Sequence, residues 1–395
     1  MSDVRRILLL RGLRSFAYGF TSVLVGVHLA DLVSAPRAGA ILTATLAGAA
    51  FWTFLVGARG DRIGRRRLYV ALSGVMAGAM GVFAATDAFW ALLVASLSGT
   101  VAATALEAGP FVALEQAMIP GAVEASRRTR TFGRYNSVAA IVGAVGALAA
   151  GGPAALRDAL PVASQRFFLI PAGLALASML VAARLSDAVE APIRGARPLT
   201  KSRARVAKLS ALFALDSLGG GFVVQAAIVY WFRSRYGTSV EILGLVFFGT
   251  GMLQAVSFTV ATRLAERIGL INTMVFTHLP SNLLLAAVPL APNEPAAIAL
   301  LLGRFALSQM DVPVRQSYVV AVVEPEERTA AAGFTTTVRS AAQAAGPAIG
   351  GATIPIAGSG VPFFIGGGLK VIYDVLLWVT FRRVKPPEER AADDS

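Results

Sequence analysis

Apolar runs separated by short polar gaps occupy almost the whole chain. About twelve windows can be placed, each of the roughly 20 mostly apolar residues that a membrane-spanning helix needs. They predict helices over residues 7–31, 38–56, 68–85, 88–118 and 132–151, a sixth ending near 185, and six more starting near 209, 240, 270, 296, 330 and 361. No stretch is left for a sizeable soluble domain. The fifth run is rich in Gly and Ala, which lets helix backbones approach closely. The predicted fold class is an all-α membrane protein of twelve transmembrane helices.

Composition agrees. Of 395 residues, 55% are hydrophobic and 15% charged, and the mean hydropathy is +0.65, whereas soluble domains are about a quarter charged. The first run follows Arg5 and Arg6 and contains Arg11 and Arg14. It lacks a short apolar core ending in a small-residue cleavage site, so it reads as a retained helix. With no cysteine, disulfides, thiolate metal sites and thiol chemistry are excluded. No nucleotide loop, nucleophile–base–acid set or metal constellation is recognisable, so neither an enzyme nor a cofactor is expected. The run Gly219-Gly220-Gly221 lies inside an apolar helix and serves packing.

The net charge of +13 raises the question of nucleic acid, and its distribution answers it. The basic residues cluster at 5–14, 59–67, 127–134, 194–208, 263–267 and 382–385, all on one side by an odd–even count of helices. The opposite gaps hold only Arg37, Arg157, Arg166, Arg233 and Arg235. This is the positive-inside bias, and it places both termini in the cytoplasm. The expected location is the cytoplasmic (inner) membrane of a bacterium with GC-rich coding, with lipid as the surroundings and no nucleic-acid partner.

The densest charge is GARGDRIGRRR, residues 57–67, read as a short cytoplasmic loop between helices two and three. Asp61-Arg62-Ile63-Gly64 recurs as Glu266-Arg267-Ile268-Gly269. Glu115-Gln116 recurs as Arg315-Gln316, and Gly19-Phe20 as Gly221-Phe222. The common offset marks a duplicated six-helix unit, as many secondary transporters have. The expected domains are an N-terminal half over 1–186, a cytoplasmic central linker over 187–208 acting as a hinge, a C-terminal half over 209–383 and a mobile tail over 384–395.

Gly57, Asp61, Arg62, Gly64, Arg65 and Arg66 resemble the G-x-x-x-D-R-x-G-R-R signature of the major facilitator superfamily, at the position where that family carries it. The resemblance extends to twelve helices, the six-plus-six repeat and the basic central loop. It implies that Asp61 latches the cytoplasmic side in the outward-facing state, which a carboxylate near a helix N-terminus suits. The alternative is that the loop only anchors topology. Two features depart from the family's antiporters. Helix four has no basic residue between Phe89 and Ala113, with Arg304 of helix ten a counterpart. The pattern Gly346-Pro347-Ala348-Ile349-Gly350-Gly351 stands in helix eleven, not helix five.

Charges inside membrane helices cost about 2.5–3.5 kcal/mol at the centre, so each is a functional candidate. Arg304, Ser308, Asp311 and Arg315 share one face of helix ten, and Asp311 and Arg315 can pair along it. Helix four carries Thr104 and Glu107, with Glu115 near its cytoplasmic end. Helix one carries Arg14, Tyr18 and Ser22, and Asp216 in helix seven is the repeat equivalent of Arg14. Helix eleven carries Arg339. The resemblance implies that helices one, four, seven and ten line a central cavity. Arg14 and Asp216 serve either transport or an ion pair between the halves. Glu115 and Arg315 are assigned structural roles. Glu107 and Asp311 are the candidates for binding a proton or the solute. His28 is read as a polar helix end, and His278 with Asn282 as structural residues of a peripheral helix.

The expected function is a monomeric secondary transporter that moves a small organic solute by alternating access, coupled to protons. Export of a cationic or amphipathic solute is preferred on the acidic residues of helices four, seven and ten. Arg14, Arg304, Arg315 and Arg339 suit the alternative, an organic-anion symporter or uniporter. A non-transporting receptor or scaffold with the same fold is the reading from another class.

Overall fold

The computed structural model describes residues 2–104, 109–122, 128–152, 164–190, 199–324, 327–382 and 384. Its α-helices are α1 (Asp3–Leu32), α2 (Ala35–Ile63), α3 (Arg65–Ala85), α4 (Phe89–Leu97), α5 (Pro110–Ala122), α6 (Arg128–Ala149), α7 (Leu169–Ala182), α8 (Arg203–Phe222), α9 (Gln225–Tyr236), α10 (Val240–Ile268), α11 (Leu270–Ala287), α12 (Glu294–Ser308), α13 (Asp311–Ala321), α14 (Arg328–Ala357) and α15 (Val361–Phe381). Short 3-10 turns cover Ser164–Phe168, Asp187–Glu190 and Val288–Leu290. No strand occurs among the described residues.

Nine helical spans among the described residues are long and apolar enough to cross a membrane. The surface is that of a chain solvated by lipid. Trp90, Leu290 and Ile356 are 73%, 71% and 86% exposed, while Glu115 and Asp374 are wholly buried. Apolar groups outside and ionised groups inside is the reverse of what water selects.

Three expectations change in detail. The stretch predicted as a loop at 57–67 is helical on both sides, and the turn is Gly64 alone. Its φ of 99° lies where a side chain is strained. Gly269, the repeat partner, makes the same one-residue turn between α10 and α11 with φ 83°. Each turn is closed by its amide, Gly64 donating to the Gly60 carbonyl and Gly269 to that of Ala265, both at 3.0 Å. Helix four is interrupted: α4 stops at Leu97, Gly99 takes φ +64°, residues 98–104 run as bends, and the chain is helical again from Pro110. Helix ten is likewise two pieces, α12 and α13, with a turn at Gln309-Met310.

The chain forms two compact units. Unit 1 holds Met1–Ile193, Val224–Met252 and Pro347–Ala357, so it takes in residues beyond the N-terminal half. Within it α1 and α6 meet backbone to backbone: a Cβ on Gly19 would lie on the Gly143 carbonyl oxygen, and one on Gly146 on that of Phe16. The interruption in helix four is filled here too, since the Ala226 amide of α9 donates to the Ala103 carbonyl at 3.0 Å. Unit 2 holds Arg194–Val223, Leu253–Gly346 and Gly358–Ser395. In it α15 packs against α8 and α11, and α11 against α12 and α13.

Candidate functional site

Each unit has an ion cluster in its core. In unit 1 the hub is Glu115 on α5, wholly buried, although the sequence places it near a helix end. Arg14 of α1 grips it in a fork, Nη2 to Oε2 at 2.6 Å and Nε to Oε1 at 3.3 Å. The Tyr69 hydroxyl of α3 donates to Oε1 at 2.7 Å and that of Tyr135 on α6 to Oε2 at 2.6 Å. The Arg14 guanidinium lies 5.2 Å from the Tyr18 ring and 5.7 Å from the Phe111 ring. Arg11 sits 4.4 Å over the Tyr135 ring. One carboxylate thus receives four hydrogen bonds, two of them from a bidentate arginine, the strongest arrangement open to it.

In unit 2 the hub is Asp216 of α8, 3% exposed. Four groups from four helices converge on it. Lys370 Nζ of α15 donates to Oδ1 at 2.6 Å, Arg315 Nη1 of α13 and Arg339 Nη1 of α14 lie 3.6 and 3.7 Å from Oδ2, and His278 Nε2 of α11 lies 3.8 Å from Oδ1. Arg315 also pairs with Asp311 at 2.5 Å, as the i, i+4 spacing predicts. Asp374 of α15 is held by His278 Nδ1 and Asn282 Nδ2, each at 2.8 Å. Arg304 of α12, 7% exposed, makes no ion pair among the described residues. It leaves Nε without a partner, as Ser308 one turn on leaves its Oγ.

These clusters answer the expectations residue by residue. Arg14 and Asp216 each find a counter-charge inside their own unit. Of the two alternatives, a transport role or a pair between the halves, the second has no counterpart among the described ion pairs of these two residues. Tyr18 lies under Arg14. Arg304, Asp311, Arg315 and Arg339 belong with Asp216. Glu107 lies outside the described residues, and Thr104, expected on a helix face with it, is in the bent segment. His278 and Asn282, read as peripheral, are 4% and 0% exposed and belong to the cluster. Lys370 and Asp374 were missed, although their signal is plain: two charges four apart in the apolar run GGGLKVIYD.

The arginine-rich segment also resolves. Gly57 is inside α2, and Arg62 is exposed at its end. Asp61 is in the same helix, with its side chain outside the described residues. Arg65 is 1% exposed and donates through Nη1 to the Ala117 and Val189 carbonyls at 2.9 and 3.0 Å. Arg66 Nη1 donates to the Leu185 carbonyl at 2.7 Å. Glu190, in the segment expected as the start of the linker, accepts from the Arg65 and Arg66 amides at 2.7 and 2.9 Å and so caps α3. In unit 2 Glu327 gathers the turn that precedes α8. It accepts from the Thr200 hydroxyl and from the Ser202, Thr200 and Lys201 amides. Those bonds, the Thr200 hydroxyl first, lower its pKa to about 2.

Comparison with known proteins places this geometry. A family model described as Major Facilitator Superfamily matches residues 7–302 and 209–395. An "Uncharacterized membrane protein YJR124C" of Saccharomyces cerevisiae is 25% identical over 410 residues, covering 93% of this chain and 92% of that protein. Among solved structures, the nucleoside transporter NupG superposes with a TM-score of 0.72 at 14% identity, covering 97% of this chain and 100% of that one. The xylose transporter XylE from E. coli, in an inward open conformation, does so with 0.73 at 14%, covering 98% and 99%. At these identities the structures are alike in fold.

Proposed function

The chain belongs to the major facilitator superfamily, and on that premise we propose that it is a proton-coupled secondary carrier of small organic anions, working by alternating access in the cytoplasmic membrane. The observation that carries this reading is Arg304, which is buried, makes no ion pair among the described residues and leaves Nε without a partner, one turn from the unpartnered Ser308 Oγ. Beside it Arg315, Arg339 and Lys370 all converge on Asp216. Arg304 is thus the cation of the cluster with no described carboxylate of its own. A buried charge without a counter-charge is costly, and an anionic solute supplies one.

The preference for export of a cation rested on the acidic residues of helices four, seven and ten. Asp216 and Asp311 both hold cations and Glu107 lies outside the described residues, so the described carboxylates favour the anionic alternative. A carrier is reversible, so its direction follows the gradients. The carrier works as a monomer with both termini cytoplasmic, and Asp61 remains the proposed cytoplasmic latch.

The test is purified protein in liposomes with an interior pH dye. The panel is lactate, succinate and benzoate as anions, tetraphenylphosphonium and ethidium as cations, and xylose and uridine as neutral solutes. The expected result is proton movement driven by one or more of the anions and by none of the others. Flux of cations or neutral solutes alone would overturn the anionic reading. Anion flux without proton movement would reduce the protein to a uniporter or exchanger.

A further inference from the structure

A line of three titratable groups crosses unit 2. His278 of α11 presents Nδ1 to Asp374 Oδ1 at 2.8 Å and Nε2 to Asp216 Oδ1 at 3.8 Å. The three side chains are 5%, 0% and 4% exposed. Asn282, one turn after His278, donates to the other oxygen of Asp374 and lies 3.1 Å from His278 Nδ1. The carboxyl is thus fixed, and with it the ring. The Tyr373 ring stands edge-on at 5.9 Å. The charged groups on the surrounding elements are Asp216 on α8, Arg304 on α12, Asp311 and Arg315 on α13, Arg339 on α14, and Lys370 and Asp374 on α15.

Two contacts distinguish the ends of this line. The Asp374 end is closed, at hydrogen-bond distance. A carboxylate on one ring nitrogen fixes the tautomer of the other, so Nδ1 carries a hydrogen toward Asp374 and the Nε2 lone pair looks at Asp216. The Asp216 end is open: 3.8 Å is longer than a hydrogen bond. Lys370 Nζ holds the same oxygen at 2.6 Å.

We propose that His278 is the proton-binding group of the carrier, taking its proton at Nε2 between Asp216 and Asp374. The step forms one N–H bond from the ring lone pair, breaks the bond of that proton to water and leaves a hydroxide or a deprotonated buffer behind. No oxidant or reductant enters. The imidazolium closes on Asp216 Oδ1 and competes with Lys370 for it, so Lys370 is released toward the solute carboxylate. Proton binding also adds one positive charge to the cluster, and anion binding offsets it. Proton and anion therefore stabilise each other's binding and move in the same direction.

This inference rests on the proton-coupled anion reading and deepens it by naming the proton site. The chain has two histidines, so a His28→Gln variant labelled with nitrogen-15 histidine reports His278 alone. In lipid nanodiscs, Nδ1 is expected to stay protonated while Nε2 gains a proton on acidification, to a greater extent when benzoate or succinate is present. In liposomes, His278→Gln is expected to move at least about fivefold fewer protons per anion than wild type. A ratio is unaffected by how much variant folds. An Nε2 that stays unprotonated on acidification overturns the proposal, as does a variant with the wild-type ratio. If the variant moves no anion, the titration decides. Wild type that moves anions without protons sinks the coupling reading itself, whereas coupled wild type with an unchanged variant sinks only the assignment to His278.

Discussion

The two ion clusters are counterparts with the charges exchanged. Arg14 and Asp216 are repeat equivalents, as are Glu115 and Arg315. In unit 1 the cation comes from the first helix of the half and the carboxylate from the fourth, and in unit 2 the reverse. What surrounds each pair differs. Glu115 faces one fork and two hydroxyls, all within 3.3 Å. Asp216 faces four cationic or titratable groups, of which only Lys370 is within hydrogen-bond distance. A fully satisfied pair is rigid and indifferent to solute. A carboxylate contested by several donors can exchange partners at little cost. On the proposed reading, matching positions serve one half as a structural tie and the other as a site.

The sharpest way to break this comparison is to remove each hub. Glu115→Gln leaves Arg14 buried without its counter-charge and is expected to cost about 3–5 kcal/mol, read as a lower melting temperature and poor yield in detergent. Asp216→Asn leaves Arg315 with Asp311 but strips Lys370 and Arg339 of their carboxylate, so its distinguishing effect is expected in transport, an anion flux per folded protein reduced by tenfold or more. An anion flux per folded protein that falls equally in the two variants would refute the contrast. The exchange of charges suggests a sharper test. Arg14→Glu combined with Glu115→Arg gives unit 1 the polarity of unit 2 and is expected to recover about 0.5–3 kcal/mol over the sum of the single changes.

The turns should show no such contrast. Gly64→Ala and Gly269→Ala force a side chain into the positive-φ region and are expected to lower stability by about 1–3 kcal/mol each, by similar amounts. The smallest effect is at the caps. The pKa of Glu327 is lowered by its donors, so its contribution is present above about 4.5 and is lost as pH falls toward about 2. The melting deficit of Glu327→Gln should therefore be largest near neutrality and shrink on acidification.

Hydropathy made the helices legible, because lipid admits few alternatives to them. The DRIG and ERIG repeats pointed to Gly64 and Gly269, and i, i+4 spacing to the Asp311–Arg315 pair. The interruption of helix four was not legible. No proline stands between Ser98 and Gly109, and the break is supported by a partner 123 positions away, the Ala226 amide on Ala103. Lys370 and Asp374 are legible as charges in an apolar run, but they lie outside helices one, four, seven and ten, which the family resemblance makes cavity-lining. His278 and Asn282 were discounted for the same reason. Pairing partners, such as Glu115 for Arg14, depend on packing that no local pattern encodes.

The tie between Arg14 and Glu115 also has a consequence for biogenesis. Its two ends lie 101 residues apart in the chain. At about 5–20 residues per second a ribosome needs roughly 5–20 seconds to reach the glutamate after making the arginine. For that interval α1 carries Arg11 and Arg14 into the insertion machinery with no partner, at about 2.5–3.5 kcal/mol per charge near the helix centre. The first helix should therefore leave the translocon only once the fourth has arrived, so that a nascent chain truncated before Glu115 is retained there and one truncated after it is released to the bilayer.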